Sequence, residues 1–162
     1  MTEISLINFI DLTEQEARDV LRWRNDDTIR VWMYRPERIM WKAHLAFITH
    51  LKQCTDKQYF VLKTSDNYLG VIDFTHINLQ GLSCDFGLYA NPEATAQRIG
   101  SQLIIAGIDY AFNVLGLLTL HLEVFSDNER AIKLYKRFSF TISAVKLFKG
   151  RELLCFSLNK FK

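Results

Sequence analysis

Several things this 162-residue chain lacks narrow its reading at once. Cys54, Cys84 and Cys155 are odd in number and show no CxxC spacing. They read as reduced, mostly buried thiols, with no His-and-acid arrangement around them to suggest a nucleophile. His44, His50, His76 and His121 include no pair at the i, i+4 spacing of a helical metal site, so no metal is expected. Charge of neither sign dominates: 20 Lys and Arg face 18 Asp and Glu, a net +2. That balance argues against a nucleic-acid partner, and the short basic run at Lys133, Lys136 and Arg137 reads as a solvated helix face. No apolar run approaches membrane-spanning length, and no basic stretch followed by an apolar one opens the chain. The expected location is the cytoplasm, with no membrane partner. Repeats, low-complexity tracts and linkers are also missing.

What is present suits one domain over residues 1–162, with 49% hydrophobic residues for its core. Ile4 to Ile10 alternates as a first strand. Thr13 and Glu16 form a capping box that starts a helix through Ala17, Val20, Leu21 and Trp23 to about Asn25. A short helical turn is expected at Ile29 to Tyr34, before Pro36, and a helix over Met40 to Gln53. Tyr59–Thr64, Tyr68–Phe74 and Leu82–Ala90 read as three antiparallel strands. A helix over Ile99–Leu115, ended by Gly116, leads to a strand at Leu118–Phe125. A helix at Asp127–Phe138 and a closing hairpin (Thr141–Phe148, Glu152–Leu158) complete the order. This predicts an α/β (α+β) fold, with a mixed, mostly antiparallel sheet and helices on both faces.

The chemistry concentrates in Leu120 to Phe140, reading LHLEVFSDNERAIKLYKRFSF. Glu123 lies late in the strand and Tyr135 late in the helix, a carboxylate and a phenol placed to flank one cleft. The stretch NERAIKLY, Asn128 to Tyr135, together with the element order, resembles the GCN5-related N-acetyltransferase superfamily over nearly the whole chain. The resemblance implies a splayed sheet with acetyl-CoA between the parted strands. It also implies that Asn128 and Ala131 hold the pantetheine arm, that Tyr135 protonates the leaving thiolate, and that Glu123 is the base for the amine. The strand end Leu88, Tyr89, Ala90 and the segment Gln97, Arg98, Ile99, Gly100, Ser101 would complete the cofactor site. Free N–H groups at a helix start suit a pyrophosphate. The segment departs from the family's Gln/Arg-x-x-Gly-x-Gly/Ala motif: Thr95 and Arg98 replace the first two motif residues, and only Gly100 matches.

The N-terminal half bears on the acceptor. WRNDD (Trp23 to Asp27) and VWMY (Val31 to Tyr34) resemble a branch that holds ribosomal-protein N-terminal acetyltransferases and nucleotide-sugar acetyltransferases. KAHLAFI (Lys42 to Ile48), YFVL (Tyr59 to Leu62), LGVIDF (Leu69 to Phe74) and FGLYANP (Phe86 to Pro92) resemble the acetyltransferases of pseudaminic acid biosynthesis. That resemblance implies a UDP-linked 4-amino-4,6-dideoxy sugar as acceptor. Arg24, Asn25, Arg30, Trp32, Met33, Tyr34, His44, Tyr89 and Glu123 are then the expected substrate-binding residues. Arg24 or Arg30 would meet the diphosphate, and Trp32, Met33 and Tyr34 the uracil or the 6-methyl group. The residues by themselves leave other readings open. Arg24 can salt-bridge, Trp32 can be core and His44 can cap a helix. A peptide N-terminal acetyltransferase and a non-catalytic CoA-binding protein remain alternatives, and the terminal hairpin is a candidate homodimer edge.

Overall fold

The computed structural model describes residues 3–161. Seven strands form one sheet in the order β1-β2-β3-β4-β5-β7-β6. They are β1 (Ile4–Asn8), β2 (Gln58–Thr64), β3 (Tyr68–Asn78), β4 (Ser83–Ala90), β5 (Thr119–Phe125), β6 (Thr141–Phe148) and β7 (Arg151–Asn159). The helices are α1 (Glu14–Asn25), α2 (Asp27–Arg30), α3 (Trp41–Leu51), α4 (Ile99–Asp109) and α5 (Glu129–Arg137). Every neighbouring pair of strands is antiparallel except β4 and β5. The predicted mixed, mostly antiparallel α/β architecture is what forms.

Period-two alternation divides the core between the two faces of the sheet. On one face, Val61 and Val71 pack under Ala17, Val20 and Trp23 of α1 and Ile48 and Leu51 of α3. On the other, Ile72, Phe74, Phe86, Leu120 and Leu122 pack under Leu103 and Ile104 of α4 and Tyr135 of α5. The local signals behave as their chemistry dictates. Thr13 accepts from the Glu16 N–H while Glu16 accepts from the Thr13 N–H, the complete capping box. Gly116, at φ +70°, closes the long helix, whose last turn widens into a π-helix over Tyr110–Val114.

Two expected elements differ. The first strand stops at Asn8, because the Asn8 side chain accepts from the Ile10 N–H and turns Phe9–Asp11 into a 3₁₀ helix. The short turn expected at Ile29 to Tyr34 starts earlier, at Asp27. The Asp26 carboxylate caps it by accepting from the Thr28 N–H at 2.9 Å and from its hydroxyl at 2.6 Å. The thiols also differ from expectation, since Cys84 is buried but Cys54 and Cys155 are half-buried.

Candidate active site

The parallel pair β4–β5 holds together over only three partners: Ser83 with Thr119, Cys84 with Leu120, and Asp85 with His121. Beyond Asp85 and His121 the strands part. The later backbone groups of β4, from Phe86 to Ala90, then have no β5 ladder to join. Unpaired strand N–H and C=O groups seek partners, so an extended amide-bearing arm can lie along this split as an added strand.

At the top of the split stands the N-terminus of α4. Arg98 is its N-cap residue, with φ 57° and ψ 36° and no side-chain cap. This left-handed backbone is what glycine ordinarily supplies. Arg98 therefore adopts, at the position of the expected glycine, the backbone conformation that glycine favours. Gly100 is needed for another reason. A Cβ there would lie 2.8 Å from a methyl carbon of Leu134, so its absence lets α4 and α5 close on each other. Gln102 donates to the Gln97 carbonyl at 3.1 Å, which steadies the turn before Ile99 and Ser101. Farther back, Asn91 donates to the Tyr68 carbonyl and accepts from the Glu93 N–H. Arg22 grips Glu93 through two hydrogen bonds of 2.6 and 2.7 Å, which ties the loop to α1.

On the α5 side of the split, Asn128 caps the helix by accepting from the Ala131 N–H at 3.3 Å. That cap uses only its oxygen. Ala131 packs at the rim of the core, with Leu88 and Ala90 of β4 on the same face. Tyr135 is buried between Phe140 and Phe156, with ring centroids 6.1 and 5.8 Å away. Burial, and less so the charge of Asp73, push its phenol up to about 12. The group stays protonated throughout the neutral range.

The opposite face of the sheet, under α1, α2 and the following loop, carries most of the residues expected to meet the acceptor. Glu123 points there and pairs with Lys146 at 3.1 Å. Burial, and then the Glu123 charge, raise the Tyr34 phenol. Tyr34 also packs on Phe148 (4.8 Å) and edge-on to Phe125 (6.1 Å), while the Arg151 guanidinium lies 3.6 Å above the Phe125 ring. Trp32 and Met33 neighbour Tyr34 on the loop, Trp32 well exposed and Met33 half-buried. Tyr89 lies half-buried beneath α1, its phenol raised by burial and by Asp73. Arg24 donates from Nη2 to the Arg35 carbonyl at 2.9 Å, whereas its buried Nη1 has no partner among the described residues.

Three expected substrate contacts are otherwise engaged. His44 is buried, and its Nε2 bonds the Ala17 carbonyl at 2.9 Å, so it fastens α3 to α1. Burial lowers its pKa, which favours the neutral ring that donates this bond. Asn25 spends its amide on the Ile39 backbone, donating at 2.8 Å and accepting at 2.7 Å across fourteen residues. Arg30 is held by Asp27 at 2.9 Å and by the Pro36 carbonyl at 3.0 Å.

One acid stands out that the sequence reading passed over. Asp73 pairs in register with Tyr59 on β2 and with Gly87 on β4. It therefore lies on the same face as Glu123, half-buried, level with the start of the split. Burial, and secondarily the charge of Asp85, push its carboxyl up to about 7. The available signal was a carboxylate inside LGVIDF, a segment otherwise apolar enough to be buried on both faces.

Residues 17–140 match the Acetyltransferase (GNAT) family. The chain is 40% identical over 139 residues to Acetyltransferase PseH of Campylobacter jejuni, which spans 86% of this chain and 85% of that protein. The crystal structure of Campylobacter jejuni N-acetyltransferase PseH in complex with acetyl coenzyme A superposes with a TM-score of 0.79 at 33% identity, covering 98% of this chain and 99% of that one. The spermidine N-acetyltransferase of Vibrio cholerae, in complex with CoA and spermine, shares the fold with a TM-score of 0.84 at 20% identity, covering 97% and 95% of the two chains. The split sheet, the free helix start beside it and these likenesses lead to one conclusion: the chain belongs to the acetyltransferase (GNAT) family and is an acetyl-CoA-dependent N-acetyltransferase.

Proposed function

We propose that this single acetyltransferase domain, residues 1–162, acetylates the 4-amino group of a UDP-linked 4-amino-4,6-dideoxy sugar, a step of pseudaminic acid biosynthesis that serves flagellin glycosylation in the cytoplasm. The observation that carries this reading is the 40% identity to PseH across 86% of the chain. The acceptor side supports it chemically. Tyr34, Phe125 and Phe148 offer flat apolar surface for a base or a deoxy sugar methyl. Arg24, with one buried guanidinium nitrogen unpartnered, is the better of the two expected arginines for a diphosphate. Arg30 already has its partners.

Acetyl-CoA supplies the acetyl group as a thioester when bound. The N–H groups at the start of α4, around Arg98, Ile99, Gly100 and Ser101, face its pyrophosphate. The parted edge of β4 at Leu88, Tyr89 and Ala90, with the free amide nitrogen of Asn128, holds the arm. Glu123 takes a proton from the attacking nitrogen as the new bond forms. Tyr135 donates its O–H to the departing sulfur and stabilises the charge that gathers there.

Free-thiol release is to be measured from acetyl-CoA with the UDP-amino sugar, an amine-terminal peptide and spermidine. Turnover with the sugar at a kcat/KM at least about 100-fold above the others is the expected result. Turnover confined to the peptide or to spermidine overturns the sugar reading.

A further inference from the structure

An amine dissolved near neutral pH arrives as an ammonium, so a GNAT site must remove two protons from nitrogen for each amide it makes. Glu123 answers for one. A row of side chains across the acceptor face contains a second carboxylate. Tyr59 pairs with Asp73, Asp73 with Gly87, and Glu123 with Cys155. Asp85 pairs with His121, so Gly87 and Glu123, two residues farther along these parallel strands, stand level with each other across the split. Asp73 and Glu123 thus flank the split on one face, with only Gly87 between Asp73 and the opening. Gly87 has no side chain to interpose, and a Cβ there would lie 2.6 Å from an Asp73 carboxylate oxygen.

We propose that Asp73 is a catalytic residue that receives the acceptor's ammonium and takes its first proton. The proposal rests on acetyl transfer to an amine and not on which amine is the substrate. Nothing among the described residues donates a hydrogen bond to the Asp73 carboxylate, and the charge that raises it, after burial, is the like charge of Asp85. Tyr59 on β2, Cys84 and Tyr89 on β4 and Tyr135 on α5 all respond to the Asp73 charge, and none of them is a cation; the Arg24 guanidinium of α1 acts on Tyr89 and does not contribute to the Asp73 shift. Asp85 itself is paired with His76 at 2.8 Å. A half-buried carboxyl with no cationic partner either holds a proton or pairs with an arriving cation, and an ammonium is such a cation. Its raised pKa suits the transfer. An aliphatic ammonium titrates near 10, so an acid titrating near 7 is roughly three powers of ten closer to accepting its proton than an ordinary aspartate near 4.

The protons balance. The ammonium passes one proton to Asp73, and the freed lone pair forms the C–N bond to the thioester carbon. The C–S bond breaks with its electron pair on sulfur. Tyr135 gives its proton to the sulfur, and the second proton leaves nitrogen through Glu123 and restores the Tyr135 hydroxyl. Asp73 returns its proton to solvent when the amide leaves, so ammonium and thioester give amide, thiol and one released proton.

The test is the pH dependence of kcat/KM, measured with whichever amine of the panel is acetylated, for wild type, Asp73→Asn, Asp73→Glu and Glu123→Gln. Asp73→Asn should lose about 100-fold or more in kcat/KM. It should also lose the limb centred near pH 7, while its Kd for acetyl-CoA stays unchanged. Asp73→Glu should restore part of both rate and limb, and Glu123→Gln should keep the limb. A ¹³C-carboxylate NMR titration of wild type against Asp73→Asn follows the same group without any substrate. Retention of rate and limb in Asp73→Asn, or an Asp73 resonance titrating near 4, overturns the proposal. Failure of the sugar to react while another amine shows the limb overturns only the substrate assignment.

Discussion

The Tyr135 hydroxyl lies at the end of a side chain packed between Phe140 and Phe156, where water is excluded. The same packing that makes Tyr135 a core residue keeps its proton in place, so burial and chemistry are one design choice here. Tyr135→Phe removes only the oxygen and leaves the ring contacts. It should lower kcat by about 100-fold and leave acetyl-CoA affinity within about twofold, read by stopped-flow thiol release and by calorimetry. Unchanged kcat would remove the phenol from the reaction. Arg98 presents the converse case, a residue whose backbone is strained and whose side chain is free. Non-glycine residues lose about 1 kcal/mol in the left-handed region. Arg98→Gly should therefore raise unfolding stability by up to about 1 kcal/mol in urea, less what glycine costs in unfolded-chain entropy. If stability falls by that much instead, the guanidinium holds the loop more firmly than the strain loosens it.

At the level of elements, α4 is seated on β4 through a missing side chain. Gly107 faces Phe86 so closely that any Cβ would overlap the ring. Phe86 is also the first β4 residue beyond the last β4–β5 pair, so it anchors the edge where the split opens. Gly107→Ala gains helix propensity but forces the ring or the helix aside. Overpacking of this kind costs about 1–3 kcal/mol, and thermal melting should show a Tm lower by several degrees. A Tm at or above wild type would mean that Phe86 can swing away freely. The elements also show where local sequence signals are strong. The capping box at Thr13 and Glu16 and the glycine stop at Gly116 are short-range chemistry, and both were legible. The slip at Ile29 to Tyr34 has a local cause too, since Asp26 outcompetes later residues as a cap. The roles of Asn25 and His44 were hidden because their partners, Ile39 and Ala17, lie fourteen and twenty-seven residues away. No periodicity within either helix records such a bond.

The whole molecule is one sheet whose faces do different work, and Asp73 belongs to both accounts. Its neighbours are set by the register of β2, β3 and β4, which a single strand's alternation does not reveal. The fold was legible because alternation and helical stripes state which face is apolar. The row Tyr59, Asp73, Gly87, Glu123 was not, because it is assembled from four strands. Its energetic consequence extends to the stability of the entire chain. The Asp73 carboxyl rises from 3.8 in the unfolded chain to about 7 in the folded one. Between those values the folded protein holds a proton that the unfolded protein has released. The stabilisation linked to that proton is complete below about pH 4 and disappears as pH climbs through 7. His44 has the opposite sense: burial lowers its pKa, so protonation below the ordinary histidine range favours unfolding. Both proteins in a comparison of wild type with Asp73→Asn carry His44, so the difference between their melting curves isolates Asp73. Wild type should lose Tm relative to Asp73→Asn by on the order of 5 °C between pH 5 and pH 8 at constant ionic strength. Parallel curves across that range would mean that Asp73 is already ionised at pH 5, and that acetylation must draw its first proton acceptor from elsewhere on the sheet.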